Sequence, residues 1–65
     1  MQILYTKHAK DRAAFYCITK EQIKKAIKQG STYSQTDGFL AVHGGLCVAY
    51  KRRGEYFRIK TVFVK

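Results

Sequence analysis

The dipeptide Gly44-Gly45 stands between two short alternating apolar runs, "GFLAVH" and "LCVAYKR", and constrains the fold more than any other feature of the chain. Two adjacent glycines supply the positive φ angles that a two-residue hairpin turn demands, and such a turn leaves no freedom in register. His43 is predicted to face Leu46, Val42 to face Cys47, Ala41 to face Val48 and Phe39 to face Tyr50. The alternation resumes in "EYFRIKTVFVK" after a second turn near Arg53-Gly54, which predicts a third strand. Phe39, Ala41, Leu46, Val48, Tyr50, Phe57, Ile59, Thr61 and Phe63 are expected on the core-facing side. Leu40, Val42, Cys47, Ala49, Lys51, Tyr56, Arg58, Lys60 and Val62 are expected on the opposite one.

Upstream of this sheet the apolar period is helical. Thr6 is a predicted N-cap for a helix over about 7–16. Thr19 followed by Gln22 makes a capping box, with Ile18 and Ile23 placed as its hydrophobic staple. Ile23, Ala26 and Ile27 form a narrow apolar stripe, Lys20, Lys24, Lys25 and Lys28 form the wet face, and Gly30 is expected to end the helix in a left-handed conformation. "QILY" at 2–5 reads as an edge strand or extended lead-in, and "STYSQTD" as a polar connection. The expected fold is α+β: two N-terminal helices packed on one face of a three- to four-stranded antiparallel sheet, in a single domain spanning 1–65.

Thirteen Lys and Arg against four Asp and Glu give a net charge of +9, an excess that predicts a polyanionic partner. The excess is spread through both halves of the chain, unlike a basic tail. Lys51, Arg58 and Lys60 with Tyr56 place cations and an aromatic on one sheet face, where phosphates and an unpaired base would bind. Arg52 and Arg53 extend that set into the turn. The alternative is a solubilising sheet face and a solvated turn.

His8 and Arg12 lie four residues apart on one helical face. Imidazole suits the acid and base steps of metal-independent RNA cleavage, and guanidinium suits the charge that builds on phosphorus. A surface pair has the same spacing. His8, Cys17, His43 and Cys47 do not make a zinc site, because the hairpin sends His43 and Cys47 to opposite faces; His43 reads as an edge histidine. Phosphate loops, dinucleotide fingerprints, zinc-protease and serine-hydrolase motifs and clustered carboxylates are absent, so neither metal nor cofactor is expected. No apolar run approaches the roughly 20 residues of a membrane span, and Cys17 and Cys47 are expected as reduced thiols in a cytoplasmic protein.

His8-Ala9 with Arg12, then Ile18-Thr19, Leu46 to Tyr50 and Thr61-Val62-Phe63 resemble a family of small domains that open with H-A-x-x-R, pass through R-G-I-S/T into a capped helix, and close on a T-V-aromatic hairpin. In layout that family is similar to the RelE, ParE and BrnT toxins of toxin–antitoxin pairs. Tyr16 replaces the family's second arginine and Cys17 its glycine. The resemblance implies a RelE/BrnT-like ribonuclease acting on RNA, free or ribosome-bound, and an acidic cognate antitoxin. In that scheme His8 is the acid or base, Arg12 and Arg58 stabilise phosphate, Lys51, Lys60 and Tyr56 hold the strand, and Tyr16 stacks a base. The alternatives are a non-catalytic nucleic-acid-binding module and a toxin that binds a protein target.

Overall fold

In the computed structural model, which describes residues Met1–Lys65, seven elements follow in the order β1 (Gln2–Tyr5), α1 (Lys7–Phe15), α2 (Lys20–Gln29), β2 (Ser31–Gln35), β3 (Gly38–His43), β4 (Leu46–Arg53) and β5 (Tyr56–Val64). They form one five-stranded sheet ordered β1-β5-β4-β3-β2. The meander β2 to β5 is antiparallel, and β1 lies parallel to β5 at the edge. The helices carry the chain from the β1 edge across to the β2 edge and bury their apolar stripes on one face.

Two N-terminal helices on a sheet are as expected, but the sheet is larger and mixed. "STYSQ" is a strand, not a connection. It pairs with β3 from Ser31↔Val42 to Gln35↔Gly38 with all five residues exposed. An edge strand that buries no side chain has no apolar alternation to betray it. The Gly44-Gly45 hairpin, by contrast, has the register that its turn dictates, with both glycines at positive φ.

Each helix has a cap written in its sequence. The Thr19 amide donates to Gln22 Oε1 at 2.8 Å and the Gln22 amide donates to Thr19 Oγ1 at 3.2 Å, a complete capping box. Ile23 and Ala26 of α2 are fully buried, as is Ala9 of α1, while Ala13 is nearly so. Burial of a side chain the size of Ile23 contributes about 1.5–3 kcal/mol. Alanines at 9 and 13 let α1 lie close on β5.

The left-handed residue expected at the end of α2 stands instead at the end of α1. Gly30 is extended (φ −79°), not left-handed, because the chain turns straight into β2. Glycine is needed there for space: a Cβ would stand 2.5 Å from the carbonyl oxygens of both Ala26 and Val42. The left-handed residue is Cys17 (φ +57°), after α1. Ile18 N–H donates to the Ala13 carbonyl at 2.8 Å and Cys17 N–H to that of Ala14 at 3.2 Å, a Schellman closure in which glycine is the usual residue. Cys17→Gly is therefore expected to raise stability by about 0.5–1 kcal/mol, read as a higher urea midpoint at unchanged slope.

The faces of β5 also depart from simple alternation. Ala49 pairs with Thr61 and the next residue, Tyr50, with Ile59, which leaves Lys60 as a β-bulge. Beyond it the pleat reverses. Val62, expected outside, is fully buried with Val48, whereas Thr61 and Phe63, expected in the core, lie in register with Ala49 and Cys47 on the face without helices. Ile3, Ala41, Val48, Tyr50, Ile59 and Val62 complete the core under α1 and α2.

Candidate functional site

The bulge that reverses β5 also assembles a hollow rich in charged side chains. Thr6, Asp37, Lys51, Arg53, Arg58 and Lys60 line a depression of about 340 Å³ on the open face, with no apolar residue among them. Four elements of sequence meet there. Lys51 and Arg58 are direct partners across β4 and β5, and Arg53 follows Lys51 by one pleat repeat. Lys60 reaches the same hollow from the bulge.

Thr6 holds the bulge in place. Its amide donates to the Ile59 carbonyl at 3.1 Å, its hydroxyl donates to the Lys60 carbonyl at 3.0 Å, and its Oγ1 accepts from the Ala9 amide at 3.1 Å. One side chain thus caps α1 and fixes the residue that carries a cation into the site. Thr6→Ala is expected to cost about 1–2 kcal/mol, through the lost cap and the orphaned Lys60 carbonyl, measurable by urea unfolding.

Asp37, in the turn between β2 and β3, is the only carboxylate of the group. Lys51 Nζ donates to its Oδ1 at 2.9 Å, and Lys60 Nζ approaches Oδ2 at 3.5 Å and donates to the Asp37 carbonyl. The hydrogen bond and charge of Lys51, followed by the charge of Lys60, hold the Asp37 carboxyl below the usual carboxylate range. Its contribution to stability is therefore present above the unfolded-state value and lost as pH falls through the lowered folded-state one. Arg53 and Arg58 form no ion pair. Four cations facing one carboxylate leave the hollow strongly electropositive, and two guanidinium forks remain open for planar oxyanions. Asp37 occupies an anion's seat between the two lysines. Asp37→Asn is expected to tighten binding of a polyanion severalfold at low salt, in a fluorescence-anisotropy titration.

Of the residues expected at a site, Lys51, Arg53, Arg58 and Lys60 converge, and Tyr56 stands in register with Arg53, half-buried. Arg52 does not join them. It lies on the helix side of β4, its guanidinium 5.6 Å from the Phe57 ring centroid. Tyr16 packs edge-on against Phe15, with centroids 5.0 Å apart. His8 and Arg12 are exposed on α1 and do not line the hollow; Arg12 sits 6.0 Å from the Phe15 centroid. No hydrogen bond orients the His8 ring. His43 is half-buried beside Gln22, Lys25 and Leu46. Cys47 is buried, Cys17 exposed, and no three His, Cys, Asp or Glu residues are grouped to hold a metal ion. The sequence marked Thr6 as the cap of α1 but not as part of this hollow, and Asp37, which carries no motif, was missed altogether.

No protein-family model, curated protein or solved structure matches the chain. No helix is long and apolar enough to cross a membrane.

Proposed function

We propose that the protein binds nucleic acid, with RNA as the leading candidate, through the phosphates that Lys51, Arg53, Arg58 and Lys60 can receive. The observation that carries this is the convergence of four cations around one exposed carboxylate on an open sheet face. A chain of net charge +9 brings the polyanion in by its overall field, and the cluster supplies the short-range contacts. Three or four phosphate contacts to a single strand predict that log K falls with log salt at a slope of about −2 to −3. Titration of a fluorescent single-stranded oligonucleotide at several salt concentrations tests this. A slope near zero, or no binding at low salt, overturns it.

A second reading is a RelE/BrnT-like toxin in the cytoplasm, neutralised by an acidic antitoxin. It is favoured by the β-α-α-β-β-β-β order and by the left-handed Cys17, which stands where the resembling family has glycine. His8 would take the proton of a 2′-hydroxyl, the 2′-oxygen would attack phosphorus, and the P–O5′ bond would break. The products are a 2′,3′-cyclic phosphate and a 5′-hydroxyl protonated by water, with Arg12 balancing charge on phosphorus; Arg58, expected beside it from the sequence, lies on the helix-free face of the sheet, apart from His8 and Arg12. Expression of wild type, His8→Ala and Arg12→Ala in bacteria, with transcript 5′ ends mapped, tests it. New ends that vanish in both variants support cleavage, arrest without new ends indicates a protein target, and unchanged transcripts at full soluble expression leave the binding reading alone.

A further inference from the structure

On the helix side of the sheet, beside the last turn of α2 and the starts of β3 and β5, lies a second hollow of about 390 Å³. Its floor is aromatic: Phe39, Tyr50 and Phe57, with Ile27 beside them and Lys28 and Arg52 at the rim. The Phe39 and Tyr50 centroids are 5.7 Å apart at 30°, and those of Tyr50 and Phe57 are 5.5 Å apart at 75°. Tyr50 is nearly buried, but Phe39, the outermost of the three, is 39% exposed. Neither Lys28 nor Arg52 has a carboxylate partner. Arg52 Nε is held only by the Gly54 carbonyl at 3.4 Å, and its guanidinium lies over Phe57.

We infer that this hollow takes an unpaired nucleobase, stacked on Phe39 and held by its phosphate against Arg52 and Lys28. The inference rests on the nucleic-acid reading and adds the requirement for a single strand. Two features select this occupant over a purely apolar one, and the size of the hollow admits it. The floor consists of rings, which stack planar groups of any base sequence. The rim consists of two unpaired cations, which an apolar ligand would leave unsatisfied. Its size falls within the range of small-ligand pockets, about 300–1,000 Å³.

Position supplies the link to the first site. Arg52 and Arg53 are consecutive on β4 and fall on opposite faces, at the tip of the hairpin that turns through Gly54 and Glu55. A flexible strand passing over that tip meets Arg53 and Arg58 on one side and the aromatic floor on the other. A duplex cannot do this, because its bases are stacked inside and its backbone is stiff.

The test compares three probes on wild type and Phe39→Leu: a single-stranded RNA oligonucleotide, the same length of duplex, and inorganic polyphosphate, which has charge but no base. Expected for wild type is tighter binding of the single strand than of the duplex. Expected for Phe39→Leu is a loss of at least fivefold for the single strand, with polyphosphate affinity unchanged within twofold. Equal single-strand affinity of the two proteins overturns the inference and leaves the phosphate interface standing. If wild type binds none of the probes, the nucleic-acid reading itself falls. Should Phe39→Leu fail to fold, the wild type decides alone. Phe39 and Phe57 ring protons must shift when the oligonucleotide is added and stay in place with polyphosphate; shifts with neither contradict the proposal.

Discussion

Gly38→Ala is expected to lower the thermal midpoint by well over 10 °C. Gly38 opens β3 at φ +119°, a conformation that a side chain resists, and a Cβ there would collide with the Tyr50 carbonyl oxygen. That carbonyl cannot retreat. Tyr50 is nearly buried in the core and stands beside the bulge that fixes β4 against β5. Strain and backbone collision together cost about 3 kcal/mol or more, which for a domain of this size lowers Tm by roughly 12–24 °C. A 65-residue chain has little stability in reserve, about 3–10 kcal/mol, so the variant would lose about a third of it or more. The same glycine lets the β2–β3 turn press on β4, which is how Asp37 comes to lie between Lys51 and Lys60. Circular-dichroism melting measures the effect, and a midpoint within 3 °C of wild type would refute this account of the turn.

The largest effect on binding is expected from Arg58→Glu. Arg58 is exposed and makes no hydrogen bond or ion pair, so its replacement should change stability by no more than about 0.5 kcal/mol. It nevertheless stands at the centre of the cluster, opposite Lys51 and across from Leu4 of β1. Reversal removes one phosphate contact and adds a repulsive one, and it turns the excess of three positive charges in the hollow into one. Oligonucleotide affinity at low salt is expected to fall about 10- to 100-fold, with a shallower salt slope. Lys10→Glu, on the exposed side of α1, makes the same change in net charge away from the hollow and should lose only a few-fold. Equal losses from the two variants would mean that overall charge, not the cluster, governs binding.

The elements that turn and cap chemistry dictate were legible in the sequence. Gly44-Gly45 set the β3–β4 register residue by residue, and Thr19 with Gln22 marked the start of α2. What escaped was set by contacts distant in sequence. Nothing in "RIKTV" announces a bulge at Lys60; it arises because Thr6, fifty-four residues earlier, ties down that carbonyl. One unpaired residue then exchanged the faces of Val62 and Phe63. The strand β2 has no apolar pattern because it lies at the edge and buries nothing. At the site, alternation correctly grouped Lys51, Arg58 and Lys60. The run Lys51-Arg52-Arg53 looked like one flexible contact, yet strand geometry sends Arg52 to the aromatic hollow and Arg53 to the polar one. His8 and Arg12 share a helical face as their spacing requires, but α1 holds them outside the hollow.

The most direct test of the central claim is a two-dimensional NMR titration of ¹⁵N-labelled wild-type protein with a single-stranded RNA oligonucleotide at low and at high salt. Binding at the cluster predicts the largest shifts at the amides of Lys51, Arg53, Arg58, Lys60 and the neighbouring Asp37, fading as salt rises. Shifts centred on His8 and Arg12 of α1, with the β4–β5 amides unmoved, would contradict it.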